Sequence, residues 1–161
     1  MTRNKQLGFS LFELVVVMVV VAILSAIVFV MWPGKAPALK AQSIQLAHDL
    51  RYARHYAITQ EISTKISFNT ASKQYSLINS ITSGSITLPG SNQNTANLDS
   101  SFTMNLTNLP NSFIIFDQDG LPYNATSGSA LTSNAIISLT TAGKTELVTI
   151  NAHSGAVSIN S

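Results

Sequence analysis

The feature that most constrains the fold is an apolar run near the start of the chain. Residues 14–31, "LVVVMVVVAILSAIVFVM", are 18 residues without a charged side chain, and Ser25 is their only hydroxyl. As an α-helix this run would be about 27 Å long, close to the thickness of a bilayer's hydrocarbon core. Glu13 stands directly before it. Because an ionised side chain inside hydrocarbon costs at least about 2.5–3.5 kcal/mol, Glu13 either faces water at an interface or pairs with a cation.

Composition narrows the classes of protein to which the chain can belong. Its 161 residues suit one compact domain plus the apolar segment. It has no cysteine, which excludes disulfides, thiol chemistry and thiolate metal sites. The formal net charge of +2 comes from Arg3 and Lys5, because seven basic and seven acidic residues balance after Gly8. This neutrality argues against a generally basic nucleic-acid binder.

Two ordinary explanations of the N-terminus fit only in part. A secretory signal has an apolar region of about 7–15 residues before its cleavage site. The tripeptide "LSA" at 24–26 is similar to such a site, but apolar residues continue to Trp32. A plain transmembrane anchor explains the length, the basic residues in front and the interfacial tryptophan. Neither explains Glu13, and the anchor does not explain Gly8 either.

The segment 5–24, "KQLGFSLFELVVVMVVVAIL", resembles the class III leader and N-terminal helix of type IV pilins and type II secretion pseudopilins. The resemblance implies that a prepilin peptidase cleaves between Gly8 and Phe9 and methylates the new N-terminus of Phe9. It also implies a filament-assembly role for Glu13, whose carboxylate would neutralise the terminal amine of a neighbouring subunit. A charge buried in a filament is tolerable when it is paired and hydrogen-bonded.

The pattern of apolar, proline and glycine residues divides the chain into predicted segments. The resemblance places a cleaved leader at 1–8 and a transmembrane helix at 9–32. Prolines and a glycine at 33–37 predict a kink, because proline removes a backbone donor and clashes with the preceding turn. Residues 38–61 have the apolar period of an amphipathic helix. Residues 62–161 predict a β-rich domain with a mobile loop at 89–101 and strands at 64–69, 74–79, 85–88, 102–106, 112–116, 135–141, 147–151 and 156–160.

This order predicts an α+β fold in which a long N-terminal helix packs on an antiparallel sheet, with a transmembrane half followed by an amphipathic half. The pieces "LRYARHYAI", "FDQDGLP" and "VTINAHSGAVSI" resemble the H-type (GspH/FimT-like) minor pseudopilins and minor pilins. Some DNA-uptake pilins of that group carry arginines around a glycine near the C-terminus. No arginine surrounds the matching Gly155 here, which argues against DNA binding.

A basic stripe on the predicted amphipathic helix is the only other candidate for DNA contact. A stripe of this kind holds phosphates in some proteins, but it is more often a solvated polar face. Asp49 beside it dilutes the positive potential. The candidate residues are Lys40, Arg51, Arg54 and His55.

The remaining polar residues do not form a catalytic or metal-binding pattern. Asp117 and Asp119 in "DQDG" lack the later ligands of an EF-hand, so a turn in which the aspartates bond their own backbone is expected. The three histidines do not have zinc-site spacing with a third ligand. No nucleophile elbow, phosphate loop or acid–base carboxylate pair occurs. We therefore expect no enzyme activity, no metal and no cofactor.

Together these features predict a minor pseudopilin or pilin that serves as a structural subunit of a type II secretion pseudopilus or type IV pilus. The expected partners are prepilin peptidase, other pilin or pseudopilin subunits and the bacterial inner membrane. The chain would cross that membrane once, with its C-terminal domain in the periplasm, and be extracted into a filament on assembly. The alternative is a FimT-like minor pilin that binds extracellular DNA for natural transformation.

Overall fold

The computed structural model describes residues 10–30, 34–124 and 130–160, without the side chains of 26–30. The chain divides into two units, Met1–Gly34 and Lys35–Ser161. The first unit holds helix α1, Leu11–Val30. The second holds helix α2 and strands β1 to β9. Their bounds are Ala36–Gln60 for α2, then Thr64–Asn69, Gln74–Asn79, Thr95–Asn97, Thr103–Thr107, Phe113–Phe116, Pro122–Tyr123, Ala135–Thr141, Lys144–Ile150 and Val157–Asn160.

Helix α2 begins two residues before the predicted start at residue 38. Pro37 lies in its first turn, where a missing backbone N–H leaves no hydrogen bond unmade. At the other end Glu61 adopts a left-handed conformation with φ 51°, and its N–H bonds the Ala57 carbonyl. Residues 36 and 37 of the predicted 33–37 kink are therefore helical, and Pro33 lies outside the described residues.

The first sheet, sheet A, has five antiparallel strands in the order β3-β2-β1-β5-β6. Strands β1 and β2 form a hairpin with Lys65 opposite Ile78, and β5 lies on the other side of β1. Both outer strands are short. Strand β3 has three residues, and β6 has two, of which the first is Pro122.

The second sheet, sheet B, has four antiparallel strands in the order β4-β7-β8-β9. A two-residue turn joins β7 to β8, with Thr141 opposite Lys144. The two turn residues, Ala142 and Gly143, have φ of 45° and 76°. This is the type I′ hairpin geometry that matches the twist of antiparallel strands. Strands β4 and β9 form the two edges of sheet B.

Helix α2 packs on strands of both sheets. Its buried face consists of Leu39, Ser43, Leu46, Ala47, Asp49, Leu50, Ala53 and Ala57. Facing it are fully buried strand residues, including Ile66, Leu77, Ile114, Ile137, Val148 and Ile150. All buried hydrophobic side chains of the described residues lie between Leu39 and Ala152, so the core belongs to the unit Lys35–Ser161.

The predicted α+β class is confirmed, while several strand predictions need correction. The single predicted sheet is two sheets. The strand predicted at 85–88 is wrong: the run makes only an isolated bridge between Ser85 and Ile78, with the Ile86 N–H donating to the Leu77 carbonyl, and its apolar residues Ile86 and Leu88 are buried. The loop predicted at 89–101 contains β3, which pairs with β2, and β6 was not predicted. These short strands carry too little alternation to stand out from turn sequence.

Inside the core, a carboxylate is bonded to a tyrosine. Asp49 is 1% exposed and accepts hydrogen bonds from the Tyr75 hydroxyl at 2.6 Å and from the Gln45 amide at 2.9 Å. Burial raises the pKa of Asp49 above its ordinary value, against the effect of these donors. Burial and the neighbouring carboxylate also raise the pKa of Tyr75. Asp49 thus connects α2 to β2, and its Oδ1 also lies 3.6 Å from Nδ1 of the neighbouring His48.

Replacing Asp49 with asparagine tests this buried carboxylate. Because its folded pKa is raised, Asp49 contributes stability that declines as the pH rises from about 4 through that folded pKa. Asparagine does not titrate and still accepts the Tyr75 hydroxyl. We therefore expect the free energy of unfolding of Asp49→Asn, relative to the native chain, to rise with pH over this window. Urea unfolding of the segment 35–161 between about pH 3.5 and 7 measures it.

Asp99 has a pKa lowered to about 2 by hydrogen bonds from Ser101, and its stabilising effect is lost as the pH falls. Asp99 is present in both the native chain and Asp49→Asn, so its contribution cancels in the difference between their free energies of unfolding. As a control, Asp49→Leu leaves the Tyr75 hydroxyl without its partner and should cost about 1–3 kcal/mol. A relative stability of Asp49→Asn that falls as the pH rises would contradict the raised pKa.

Candidate functional site

Between Leu11 and Leu24, helix α1 has apolar side chains on every side. From Leu11 to Leu24 its only charged residue is Glu13. Its large side chains are between 44% and 83% exposed, the extremes being Val16 and Leu11. A helix that is hydrophobic all round is normally buried in a protein core or in a membrane. Helix α1 therefore needs a covering that its own unit does not supply among the described residues.

Within residues 10–30, 34–124 and 130–160, no helix combines the length and the hydropathy that crossing a membrane requires.

The polar groups of α1 are few, and one is satisfied within the helix. Ser25 donates its hydroxyl to the Val21 carbonyl at 2.7 Å, which removes its need for an external partner. Glu13 is different. It lies in the first turn, where a negative charge is favoured by the helix dipole, and its side chain is exposed. Gly8 and Phe9, the predicted cleavage and methylation residues, lie outside the described residues.

Two of the predicted DNA-contact residues are engaged in the fold. Arg51 donates from Nε and Nη2 to the Val157 carbonyl, at 3.2 and 2.8 Å. Arg54 donates from Nε to the Gly120 carbonyl at 3.1 Å. These bonds connect α2 to β9 and to the turn before β6. Lys40 and His55 are exposed on the same helix. Two of the four candidates therefore make hydrogen bonds within the domain.

The turns that Arg54 contacts approach each other closely at two glycines. A Cβ added at Gly155 would lie 2.2 Å from the Gly120 carbonyl oxygen and 3.0 Å from Arg54 Nε. Gly155 also has φ +67°, a left-handed conformation. Only glycine satisfies both conditions without a shift of backbone. The turn before β6 belongs to sheet A and the turn before β9 to sheet B, so this contact joins the two sheets under the end of α2.

The aspartates of "DQDG" form the expected turn. The Asp117 carboxylate accepts the N–H groups of Asp119 and Leu121, at 3.0 and 2.7 Å, and Gly120 has φ +76°. The backbone-bonding prediction is confirmed for Asp117. Among the residues that the structure describes, no group of three or more histidine, aspartate or glutamate side chains is placed to hold a metal ion.

The N-terminal sequence has an established family signature. The prokaryotic N-terminal methylation motif matches residues 3–29, a region that includes Gly8, Phe9 and Glu13. No curated protein is a significant match to the chain in sequence.

Solved structures supply the second comparison. The type IV minor pilin FimU of Pseudomonas aeruginosa is 17% identical and superposes with a TM-score of 0.57, covering 79% of this chain and 91% of FimU. The minor pseudopilin EpsH of the Vibrio cholerae type II secretion system is 11% identical with a TM-score of 0.57, covering 76% of this chain and 95% of EpsH.

The chain has a pilin fold and the prepilin methylation motif. Both observations agree with the type IV pilin and pseudopilin superfamily, as the N-terminal resemblance predicted. Both solved neighbours are pilin-type proteins rather than enzymes. The motif also implies two kinds of partner, prepilin peptidase and other pilin subunits.

The sequence missed the arginine–carbonyl bonds and the Asp49–Tyr75 pair. For Asp49 a signal was present, because it lies on the apolar stripe of Leu46, Leu50 and Ala53, where a carboxylate requires a buried partner. For Arg51 and Arg54 no local signal exists, since their acceptors are backbone carbonyls of distant turns.

The glycine contact generates a prediction with an internal control. Gly143 has φ +76° but nothing within 4 Å of an added Cβ. Gly143→Ala should therefore cost only the left-handed strain, about 1–2 kcal/mol. Gly155→Ala meets a backbone oxygen as well and should cost about 1–3 kcal/mol more. Urea unfolding of both variants in the segment 35–161 measures the difference. Equal losses would show that the turns do not meet at Gly155.

Proposed function

We propose that this chain is a minor pseudopilin or minor pilin, a structural subunit that enters a type II secretion pseudopilus or a type IV pilus through its N-terminal helix. The observation that carries the proposal is the methylation motif at 3–29 on a helix whose surface is apolar on every side. The likeness to FimU and EpsH supports the minor-subunit assignment. FimU is a pilus protein and EpsH a secretion-system protein, so the proposal includes both a type IV pilus and a type II secretion pseudopilus.

The proposal gives each part of the N-terminus a task. Residues 1–8 form a leader that prepilin peptidase removes at Gly8–Phe9. The segment 9–32 anchors the subunit in the bacterial inner membrane as a single span, with the domain that follows in the periplasm. The predicted span extends past the described part of α1 at both of its ends. On assembly the helix leaves the lipid, and neighbouring helices cover its apolar surface.

In this proposal Glu13 determines how neighbouring subunits are aligned in the filament. In a filament its carboxylate would be surrounded by apolar helices, where an uncompensated charge is strongly unfavourable. The methylated amine of Phe9 on a neighbouring subunit supplies the counter-charge. Because the amine and the carboxylate lie near the same end of each helix, pairing between chains fixes how far one subunit is displaced along the next. We propose that this pair sets the register of assembly.

The alternative role, capture of extracellular DNA, has weaker support. Arg51 and Arg54 are bonded to the Val157 and Gly120 carbonyls, and the chain after residue 8 is formally neutral. Phosphate binding requires free cations clustered on one face. We therefore favour the structural role.

Processing is the first test. Mass spectrometry of the chain purified from membranes of its host should find an N-terminus at Phe9 carrying one methyl group. Gly8→Leu should leave the full-length precursor, because a bulky residue at the cleavage site blocks the peptidase. An intact N-terminus in the native chain, or cleavage near Ala26, would contradict the proposal.

The second test separates assembly from insertion. Glu13→Val removes a charge from the apolar run, so membrane insertion should persist, and cleavage at Gly8 should persist because Glu13 lies several residues beyond it. Co-purification with the other filament subunits should be lost. Glu13→Gln, which keeps the shape without the charge, should also fail, whereas Glu13→Asp should retain part of the assembly. Normal co-purification of Glu13→Val would show that Glu13 is only an interfacial residue.

A further inference from the structure

The edges of the two sheets differ in how they are protected. Natural sheets limit edge-to-edge pairing with short strands, prolines or charged side chains. Sheet A follows this rule, because its edges are the three-residue β3 and the two-residue β6 that starts with Pro122. On sheet B, Arg51 covers one edge by bonding the Val157 carbonyl of β9. Strand β4 has five residues and contains no charge and no proline. In the described part of the chain it pairs only with β7.

The hairpin register identifies which backbone groups of β4 point outward. In the type I′ hairpin the pair Thr141–Lys144 exchanges hydrogen bonds, and the bonded pairs then alternate along β7 and β8. Ser138 consequently directs its N–H and carbonyl toward β4, where it lies opposite Asn105. Bonded and non-bonded pairs also alternate between β8 and β9, and Val157 belongs to a non-bonded pair. Its carbonyl therefore points away from β8, toward Arg51. The outward groups of β4 are therefore the N–H and carbonyl of Met104 and Leu106.

The side chains of β4 alternate between the core and the surface. Met104 is 3% exposed and Leu106 packs against the core, so the strand is anchored from its inner face. Thr103, Asn105 and Thr107 are exposed on the other face. The sequence of β4, Thr-Met-Asn-Leu-Thr, reads chemically the same in both directions. Asn105 is its centre, flanked by two apolar residues and then by two threonines.

We propose that β4 pairs with β4 of a second copy of this chain, antiparallel and about a two-fold axis through Asn105. In this register Met104 lies opposite Leu106 of the second copy, and each pair exchanges both of its outward hydrogen bonds. Asn105 meets its own equivalent, and Thr103 lies opposite Thr107. Two four-stranded sheets then become one continuous sheet of eight strands. Such an interface is isologous, so it closes at a dimer.

Charge and hydrogen bonding favour this occupant over an unrelated strand. The pairing brings no charged side chain against another, and like charges directly opposite would be destabilising. It also provides partners for two N–H and two carbonyl groups on each copy, all at matching positions. The dimer does not depend on the proposed filament role.

Single cysteines test the register, because the chain has no cysteine of its own. Opposite residues in a pair without mutual hydrogen bonds have Cα atoms about 4.5 Å apart, within the range that a disulfide spans. Asn105→Cys in the detergent-solubilised full-length chain should form a disulfide dimer under copper–phenanthroline oxidation at least about tenfold faster than Ser158→Cys, an exposed position on β9. Thr103→Cys and Thr107→Cys should each dimerise slowly alone and form a mixed disulfide when combined.

A second experiment places a lysine at the centre of the proposed interface. Asn105→Lys places two like charges opposite each other at the centre of the interface, and the residue is exposed, so the fold should be retained. It should abolish the mixed disulfide between Thr103→Cys and Thr107→Cys, whereas an added Ser158→Lys should leave that disulfide unchanged. The proposal is overturned if Asn105→Cys dimerises no faster than Ser158→Cys. It is equally overturned if Thr103→Cys links to itself as readily as to Thr107→Cys, or if Asn105→Lys has no effect.

Discussion

Helix α1 carries one imbalance that any assembly of the chain must resolve, an apolar surface with a single carboxylate. Helix α1 exposes apolar side chains in every direction, and Glu13 is its only charge from Leu11 to Leu24. Lipid or other helices can cover the apolar surface, but neither satisfies the carboxylate. Wherever Glu13 is buried in its ionised form, a cation must therefore lie beside it. The proposed pairing with a neighbour's terminal amine meets this requirement and gives the subunit a reason to assemble in one register.

The second unit, Lys35–Ser161, has a hydrophobic core of its own. Its core lies wholly between Leu39 and Ala152, and α2 is attached to both sheets by buried side chains and by polar contacts. Asp49 bonds Tyr75 on one sheet, while Arg51 bonds the Val157 carbonyl on the other. Charged side chains are few, at 10% of the residues, yet Asp49 and Arg51 make these two contacts. The same scarcity of charge leaves the β4 edge open to a second chain.

Sequence reasoning succeeded where a pattern is local and repeated. The apolar run and Gly8–Glu13 signature predicted the superfamily, and strands β1, β2 and β7 were predicted with the bounds that the structure has. It failed for the three-residue β3 inside a run of turn residues and for the division into two sheets. Strand order depends on contacts between distant residues, such as the approach of Gly155 to the Gly120 carbonyl, which no local pattern contains. The burial of Asp49 was readable from its place on the apolar stripe, whereas the acceptors of Arg51 and Arg54 were not.

The central claim is that Glu13 pairs with the terminal amine of another subunit, and a zero-length cross-link measures this directly. A water-soluble carbodiimide activates a carboxylate and joins it to an amine in contact with it, including the secondary amine of a methylated Phe9. Filaments or secretion complexes that contain this chain would be treated, digested and analysed by tandem mass spectrometry. The account predicts a peptide in which Glu13 is joined to the N-terminal residue of a different subunit. Assembled material in which Glu13 is joined only to its own chain, or to none, would contradict it.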